Sequence, residues 1–196
     1  MNIIQTTIPE VVIIEPRVFE DNRGYFLESF SQQWFTEHIC NTQFVQDNES
    51  QSSYGVLRGL HFQKPPHAQS KLVRVVKGKV LDIAVDIRKG SPTFGQHVSC
   101  ILSEENKRQL FVPRGFAHGF VVLSNSTIFQ YKCDNYYAPQ SEGAIAYNDP
   151  VLNIDWQVDP AAIQLSEKDK KNPLLKDVEW LFDYEEFHCP SSLPRG

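Results

Sequence analysis

The sequence predicts an all-β protein, either a sandwich or a small barrel, and three observations favour this class. Apolar residues alternate with polar ones, so that Leu81, Ile83, Val85 and Ile87 share one face of a strand. Several such runs follow one another between residues 72 and 133, with turn residues between them. The 196 residues are 41% hydrophobic and 22% charged, which is the profile of one globular domain with a large core.

Composition and charge exclude several classes of protein. The formal net charge of −5 argues against nucleic acid as a partner. No apolar run approaches the length of about 18 residues that a membrane-spanning helix needs, and the N-terminus lacks a signal-peptide pattern. Cys40, Cys100, Cys133 and Cys189 have no C-x-x-C spacing, so we expect reduced thiols. We therefore expect a cytoplasmic protein with neither a nucleic-acid nor a membrane partner.

The N-terminal segment, residues 3–14, is mostly β-branched and apolar and predicts a strand. Pro9 and Pro16 suit the ends of a strand at the edge of a sheet. The segment has too few polar positions for a solvated edge, and an exposed apolar edge favours pairing with another chain. The sequence therefore predicts a homodimer in which this N-terminal strand crosses to the partner.

A turn and one short helix follow this strand. Residues 21–24 have the composition of a turn, and residues 25–30 predict another strand. Ser31 suits an N-cap, and the apolar and aromatic residues among 34–39 recur at helical spacing. We expect a single short helix in the first half of the chain.

The remaining elements are strands and then irregular structure. Residues 77–79 predict a hairpin turn, and residues 110–133 predict two strands separated by a turn at 124–126. Asp159 and Pro160 have the form of a helix start, with Asp as the cap and Pro at the first position. The last third of the chain is therefore expected to be irregular and then helical.

Residues 57–63, with the sequence LRGLHFQ, are the stretch most informative about function. Arg58, His61 and the nearby Lys71 lie among apolar residues, and buried polar groups need partners or a ligand. A histidine in such a run is more often a satisfied core residue than a functional one. In a regular strand Arg58 and His61 point to opposite faces, unless a β-bulge intervenes.

A second segment completes the pattern, because Pro113, Gly115 and His118 form the motif P-x-G-x-x-H. The two segments together resemble the signature motifs of the cupin superfamily, which implies a cupin jelly-roll (double-stranded β-helix) with a few short peripheral helices. Metal-binding cupins have a second histidine and a carboxylate where this chain has Gln63 and Lys71. An ammonium group repels a cation and an amide is a poor substitute for imidazole, so we expect no metal.

At finer grain the chain resembles the dTDP-4-dehydrorhamnose 3,5-epimerase family, whose motifs occur in unbroken order between about residues 3 and 175. The motifs are FEDNRGYFLE at 19–28, FVQDN at 44–48, LRGLHFQ at 57–63, KLVR at 71–74, DIR at 86–88, SPTFG at 91–95, NKRQL at 106–110, YK at 131–132 and LSEKD at 165–169. The resemblance implies one cupin domain over residues 1–180, with the N-terminal strands and a C-terminal helical segment. Residues 181–196 form a tail outside the match.

The resemblance implies an isomerase, without a cofactor, that inverts carbons 3 and 5 of dTDP-4-dehydro-6-deoxyglucose to give dTDP-4-dehydrorhamnose. It implies His61 as the base, Asp169 as the group that orients it, Lys71 at the enolate oxygen and Tyr131 as the acid. It also implies a set of residues that bind the nucleotide-sugar substrate. These are Phe19, Arg23, Phe26, Glu28, Gln46, Asn48, Arg58, His118, Tyr137, Glu142 and Lys170.

The chemistry of the side chains is compatible with these roles. Both carbons are α to the carbonyl, so inversion needs a base on one face, an acid on the other and stabilisation of the enolate. Tyr131 shares a predicted strand face with Phe129 and Cys133, which makes it either a core aromatic or a proton donor. Ser166 and Asp169 also fit a capping box, which is a purely structural interpretation of Asp169.

Other functions remain open on the sequence. A narrower reaction on a related nucleotide 4-keto sugar, such as 3-epimerisation alone or keto isomerisation, needs much the same residues. A non-catalytic sugar-nucleotide binder has no need for a base and an acid on separate strands, so His61 and Tyr131 count against it. A metal-dependent cupin oxygenase is disfavoured by Gln63 and Lys71.

Overall fold

Two β-sheets pack face to face in the computed structural model of this chain, which describes residues 1–187. The strands are β1 (Asn2–Gln5), β2 (Val12–Glu15), β3 (Val18–Asp21), β4 (Gly24–Leu27), β5 (Gln46–Ser53), β6 (Leu57–Gln63), β7 (Lys71–Lys77), β8 (Lys79–Asp86), β9 (Arg88–Lys89), β10 (His97–Ser103), β11 (Gln109–Val112), β12 (Phe116–Val122), β13 (Ser126–Cys133), β14 (Glu142–Ala144) and β15 (Phe182–Asp183). The predicted all-β jelly-roll class is confirmed.

The sheet order brings the two motif segments together. One sheet has six strands in the order β1-β2-β11-β7-β13-β5, and the other has five in the order β10-β8-β12-β6-β14. Strand β6 therefore lies beside β12, and His61 is the cross-strand partner of His118. A core that includes Val73 and Phe129 of the first sheet and Ala84 of the second fills the space between them.

The expectation of one N-terminal strand is wrong, because residues 3–14 form a hairpin. Strand β1 pairs with β2, and β2 pairs with β11 of the same chain. Ile8 and Val11, in the loop between β1 and β2, are fully buried. The apolar residues of this segment are thus largely covered by their own chain, and β1 is the edge strand of the six-stranded sheet.

Two further expectations about turns are corrected. The turn at Gly78 joins β7 of one sheet to β8 of the other, so residues 77–79 are a corner and not a hairpin. Three strands, β11, β12 and β13, occupy residues 109–133 where two were expected. Period-two alternation locates strands well, but it does not tell which sheet the next strand joins.

Helix is scarce. The predicted helix is confirmed as α1 (Gln32–His38), and the amide of Trp34 donates to the Ser31 side chain at its start. In the last third of the chain, as far as residue 187, the helical structure consists of 3₁₀ turns at Pro139–Ser141, Pro160–Ala162, Asp169–Lys171 and Leu175–Asp177. Over residues 1–187, no helix has the length and apolarity that crossing a membrane requires.

The chain beyond residue 180 continues to pack on the core as far as it is described. Phe182 is 1% exposed and meets the ring of Phe62 at a centroid distance of 5.9 Å. Strand β15 pairs in parallel with β9, and Arg88 donates to the carbonyl of Phe187. The domain boundary near residue 180 stays a prediction, and residues 188–196, with Cys189, lie outside the described part of the chain.

Candidate active site

A cavity of about 680 Å³ opens between the two sheets and is lined by side chains from both. His61 and His118 reach it from the five-stranded sheet, while Lys71 and Tyr131 reach it from the six-stranded sheet. An adjoining cavity of about 320 Å³ shares His61, Lys71, Tyr131 and Asn48 with the first. The two cavities therefore form one cleft, and the four shared side chains lie where the cavities meet.

The first imidazole–carboxylate pair is His61 with Asp169. His61 Nε2 lies 2.6 Å from Asp169 Oδ1, and the Ser166 hydroxyl donates to Asp169 Oδ2 at 2.9 Å. Burial by itself would raise the pKa of Asp169. The hydrogen bond and charge of His61 and the hydrogen bond of Ser166 outweigh this effect, so the pKa lies below its ordinary value. The carboxylate thus stays ionised beside the imidazole.

Asp169 is also part of a local turn. Its amide donates to the Ser166 hydroxyl at 3.1 Å, which is the first of the two hydrogen bonds of a capping box. The Asp169 carboxylate accepts from the Ser166 hydroxyl in return, so the local turn fixes the carboxylate that His61 meets. The 3₁₀ turn at Asp169–Lys171 holds this residue over β6.

The second imidazole–carboxylate pair is His118 with Asp82, which sequence reasoning missed. His118 Nε2 lies 2.9 Å from Asp82 Oδ1, and the Asp82 side chain is fully buried. Burial raises the pKa of Asp82, against the opposing effects of His118 and Lys71. The available signal was a carboxylate within β8, a strand whose neighbouring residues on both sides are apolar.

Lys71 and Tyr131 are close neighbours on the opposite wall. Lys71 Nζ lies 5.9 Å from the centre of the Tyr131 ring. Burial lowers the pKa of Lys71, although the negative charges of Asp82 and Glu142 oppose that change. Burial likewise raises the pKa of Tyr131, so its phenol stays protonated at neutral pH. The predicted interior face is confirmed by Phe129 and Cys133, each 1% exposed.

A break in strand alternation brings Arg58 to the same cavity as His61. The pairing of β6 with β12 shifts register between His118 and Phe120, so His61 faces His118 while Arg58 faces Phe120. Arg58 then lines the large cavity, and its guanidinium donates to the Ser52 hydroxyl at 3.2 Å. Opposite faces for Arg58 and His61 were therefore the wrong expectation, because a β-bulge intervenes between them.

The two positions that would carry metal ligands in the first cupin motif have other partners. Gln63 donates to the carbonyls of His67 and Tyr136, and its side-chain oxygen accepts from the amide of Ala138 at 2.8 Å. Lys71 places an amine in the same site, where metal-binding cupins have a carboxylate. Within residues 1–187, no three His, Cys, Asp or Glu side chains are grouped so that they could hold a metal.

Most of the expected nucleotide-binding residues of the cleft lie in the smaller cavity. Gln46, Asn48, Tyr137 and Glu142 line it, and the amide of Tyr137 donates to Gln46 at 3.1 Å. The expected Lys170 lines neither cavity and instead forms an ion pair with Glu167. Lys168 occupies the large cavity and pairs with Glu142, a contact that the alternating charges of residues 167–170 did not single out.

Four other expected residues lie away from the cleft of their own chain, namely Phe19, Arg23, Phe26 and Glu28. Strands β3 and β4 pair only with each other, among the described strands; they carry Phe19 and Phe26, and Arg23 lies in the turn between them. Phe19 and Phe26 are 50% and 69% exposed, with ring centroids 6.5 Å apart. Arg23 forms an exposed ion pair with Asp21. None of the four lines the two cavities described above.

Comparison with known proteins agrees with this geometry. The model of a family described as dTDP-4-dehydrorhamnose 3,5-epimerase matches residues 5–177. The Salmonella typhimurium protein of that name is 56% identical over 176 residues, covering 89% of this chain and 96% of its own. A crystal structure from Legionella pneumophila, a dTDP-6-deoxy-D-glucose-3,5-epimerase in complex with dTDP-4-keto-L-rhamnose, has a TM-score of 0.90 at 53% identity. It covers 93% of this chain and 98% of that one.

A more distant solved structure belongs to an enzyme with a narrower activity. The 3'-monoepimerase of Streptomyces bikiniensis, in complex with dTDP-quinovose, has a TM-score of 0.84 at 31% identity. That match covers 92% of this chain and 93% of the other. From the extent of the family match and the identity to its members, the chain belongs to the dTDP-4-dehydrorhamnose 3,5-epimerase family and is an isomerase.

Proposed function

We propose that this protein inverts carbons 3 and 5 of dTDP-4-dehydro-6-deoxyglucose and so forms dTDP-4-dehydrorhamnose. One observation carries the proposal. A half-exposed histidine held by a carboxylate lies on one sheet, while a buried tyrosine and lysine line the same cavity from the other sheet. Proton removal from one face of a sugar and proton return to the other face need that arrangement.

In the proposed mechanism His61 removes the proton on carbon 3 or carbon 5. Its Nε2 forms a hydrogen bond with Asp169, so Nδ1 is the nitrogen that faces the substrate. The ionised Asp169 stabilises the imidazolium that forms, and Lys71 stabilises the negative charge that develops on the oxygen at carbon 4. Tyr131 then donates its phenolic proton to the same carbon from the opposite face, which inverts the centre.

Incubation with dTDP-4-dehydro-6-deoxyglucose in deuterium oxide tests the function directly. We expect NMR to find deuterium at both carbon 3 and carbon 5. Deuterium at carbon 3 alone would favour the narrower 3-epimerase, which the likeness to the Streptomyces bikiniensis enzyme keeps as the second candidate. Binding of the nucleotide sugar without any exchange would instead mean a non-catalytic binder.

The Tyr131→Phe variant separates proton removal from proton return. Because His61 is intact, we expect exchange at both carbons to continue, while inverted product falls by about 10²-fold or more. NMR of the same deuterium reaction reports both quantities in one sample. If the variant forms product at the wild-type rate, Tyr131 is not the acid, and Tyr137 in the smaller cavity becomes the first candidate.

The proposed reaction needs neither a redox cofactor, since no net electrons move, nor a metal. The amide of Gln63 is engaged by backbone groups, and Lys71 supplies an amine where metal-binding cupins have a carboxylate, and both features support a metal-free site. We expect activity to survive prolonged treatment with a chelator. Loss of activity that one added metal restores would contradict this part of the proposal.

The free, buried thiols of Cys100 and Cys133 support a cytoplasmic location.

We also propose a homodimer in which the β3–β4 hairpin completes the partner's substrate site. The exposed rings of Phe19 and Phe26 and the absence of a pairing partner for this hairpin among the described strands support it. Residues 3–14 are paired within their own chain, so the exchanged part is the hairpin that follows them. A nucleotide base between aromatic rings of two chains is a chemically reasonable contact.

Light scattering should give a mass twice the 22.5 kDa of the chain. In Phe19→Ser/Phe26→Ser we expect KM to rise roughly fivefold or more, because the partner's site loses two aromatic contacts. Val151→Ser, which removes another exposed apolar side chain, is the matched control and should leave KM unchanged. A fully active wild-type monomer would overturn the shared site.

A further inference from the structure

The β3–β4 hairpin has few contacts that fix its direction relative to the rest of its chain. Among the described strands, β3 and β4 pair only with each other, and no residue of either belongs to the hydrophobic clusters of residues 1–187. Phe19 and Phe26 are cross-strand partners on one face, and Glu20 and Tyr25 are partners on the other. Contacts made by side chains must therefore hold this hairpin in place.

The turn between β10 and β11 supplies such contacts. Residues 106–110 run from this turn into β11 with the sequence NKRQL, and none of them lines the two cavities of the cleft. The Asn106 side-chain oxygen accepts from the amides of Ser103 and Arg108 at 3.1 and 3.0 Å. Lys107 has a φ of 55°, in the left-handed region, and its amide donates to the carbonyl of Ser103 at 3.1 Å. The turn is thus fixed by its own hydrogen bonds.

Two consecutive residues of this turn contact the hairpin and the strand before it. Lys107 Nζ lies 4.0 Å from the centre of the Tyr25 ring, which is a cation–π contact. Arg108 Nε donates to Glu15 at 2.8 Å, at the end of β2 where the chain enters the hairpin. Burial lowers the pKa of Arg74 on β7, and the nearby Tyr25 hydroxyl opposes that change. Tyr25 thus faces basic side chains of its own chain, which leaves the opposite face of the hairpin free.

Gln109 holds the other end of the hairpin. It is 3% exposed, and its side-chain amide donates to the carbonyl of Ser29 at 2.6 Å. Ser29 lies two residues after β4 and directly after Glu28, which is expected to bind the substrate. Because Gln109 belongs to β11, in the interior of the six-stranded sheet, this hydrogen bond connects the exit of the hairpin to the core of the fold.

Resting on the shared substrate site of the proposed function, we propose that Lys107 and Gln109 are positioning residues for the partner's site. They hold the hairpin in the direction in which Phe19 and Phe26 meet the partner's substrate, so they control substrate affinity although neither lines the cleft. If only a fraction of the hairpins has the correct direction, the apparent affinity falls by that fraction. Proton transfer within the cleft does not depend on them.

Variants of the two residues should change KM and leave kcat intact. In Lys107→Met/Gln109→Leu we expect KM to rise roughly fivefold or more and kcat to stay within about twofold, because two contacts are lost while His61 and Tyr131 are untouched. Lys107→Met alone changes only a partly exposed side chain and should raise KM about two- to fivefold. Lys107→Arg keeps a cation over the ring and should keep the wild-type KM. Lys89→Met, which removes an exposed lysine of β9, is the matched control.

The outcomes separate this inference from the proposed function. An unchanged KM in the double variant, or in Lys107→Met if the double variant does not fold, would overturn the inference. If KM still rises in Phe19→Ser/Phe26→Ser, the shared site then stands without it. A wild-type protein without epimerase activity would instead contradict the proposed function itself.

Mixed dimers, isolated with a different affinity tag on each chain, show in which chain the two residues act. In one dimer a His61→Ala chain is joined to a Lys107→Met/Gln109→Leu chain. The single intact base lies in the second chain and its site receives an intact hairpin from the first, so we expect the wild-type KM.

In the other dimer all three substitutions lie in one chain and the partner is wild type. The wild-type site then receives the displaced hairpin, so KM should match that of the Lys107→Met/Gln109→Leu homodimer. The reverse pattern, or equal KM values in the two mixed dimers, would mean that the residues do not act on the partner's site and would overturn the proposal.

Discussion

The histidines of the two imidazole–carboxylate pairs lie on adjacent strands of one sheet, yet the pairs have opposite environments. His61 is 34% exposed at its side chain, whereas His118 is 7% exposed. The pKa of Asp169 is lowered below its ordinary value, while burial raises that of Asp82. Two pairs with the same chemical groups, one strand apart, therefore differ in which protonation state of the carboxyl the fold favours.

This difference assigns the roles in the proposed mechanism. A base must meet the substrate and then carry positive charge, so it needs access to the cavity and an ionised carboxylate behind it. His61 with Asp169 meets both conditions. His118 also lines the cavity, but its pair with Asp82 is buried, and its ring stacks on Phe129. In the proposed mechanism, environment more than residue type therefore separates the proton-transfer pair from the second pair.

Removal of each histidine should change a different measured quantity, catalytic exchange for His61 and stability for His118. We expect His61→Ala to lose exchange at both carbons by about 10² to 10⁴-fold, with little change in stability, because it serves both centres as the base. His118→Ala instead leaves the buried Asp82 without its hydrogen-bond partner and should cost about 1–3 kcal/mol of stability. Deuterium exchange and urea unfolding of both variants measure the two effects.

The roles are reversed if His118→Ala folds normally and loses exchange at both carbons. A matched control is His97→Ala, because His97 lies on β10 of the same sheet and lines neither cavity. We expect that variant to keep both activity and fold. The comparison then rests on position in the cavity, since all three variants remove an imidazole from one sheet.

Asp169→Asn should have a smaller effect than loss of His61. An amide at this position retains an oxygen for the hydrogen bond but loses the negative charge that stabilises the imidazolium. A hydrogen bond to a charged group is worth about 1.5–3 kcal/mol, which corresponds to a loss of roughly 10- to 150-fold in kcat. Steady-state kinetics check this, and a rate within twofold of wild type would remove Asp169 from the mechanism.

Strands and the central motifs were predictable because both follow from local pattern. Alternation located the strands, and the Ser31 cap and helical spacing located α1. His61 and Lys71 stood out because a polar side chain in an apolar run departs from the local rule. Tyr131 and Asp169 were joined to them through the family resemblance, and all four line one cavity.

What could not be predicted depends on contacts between distant segments. The partner of His118 is Asp82, which is 36 residues earlier, and only the sheet order joins them. The hairpin at residues 3–14 looked like one strand, because apolar residues in the loop, such as Ile8, are buried by tertiary packing and not by strand pairing. The polar face assigned to β8 is also buried, since both sides of this strand are covered.

The pH dependence of stability should separate the two carboxyl groups by sign. The folded pKa of Asp169 is lowered, so its contribution is present above the unfolded value, near 3.8, and is lost as the pH falls through the folded pKa. The pKa of Asp82 in the folded protein is raised, so the contribution of Asp82 to stability is present below its unfolded pKa, near 3.8. This contribution is lost as the pH rises through the folded pKa.

Urea unfolding of the wild type, Asp169→Asn and Asp82→Asn from about pH 3 to pH 8 measures this. The stability advantage of the wild type over Asp169→Asn should shrink toward acid, whereas its advantage over Asp82→Asn should shrink toward neutral pH. Asp177→Asn, which changes an exposed carboxylate, controls for net charge. The baseline cost of each amide cancels, because only the slope with pH is compared. Slopes of the same sign would mean that both pairs share one environment, and the division between proton transfer and structure would then fail.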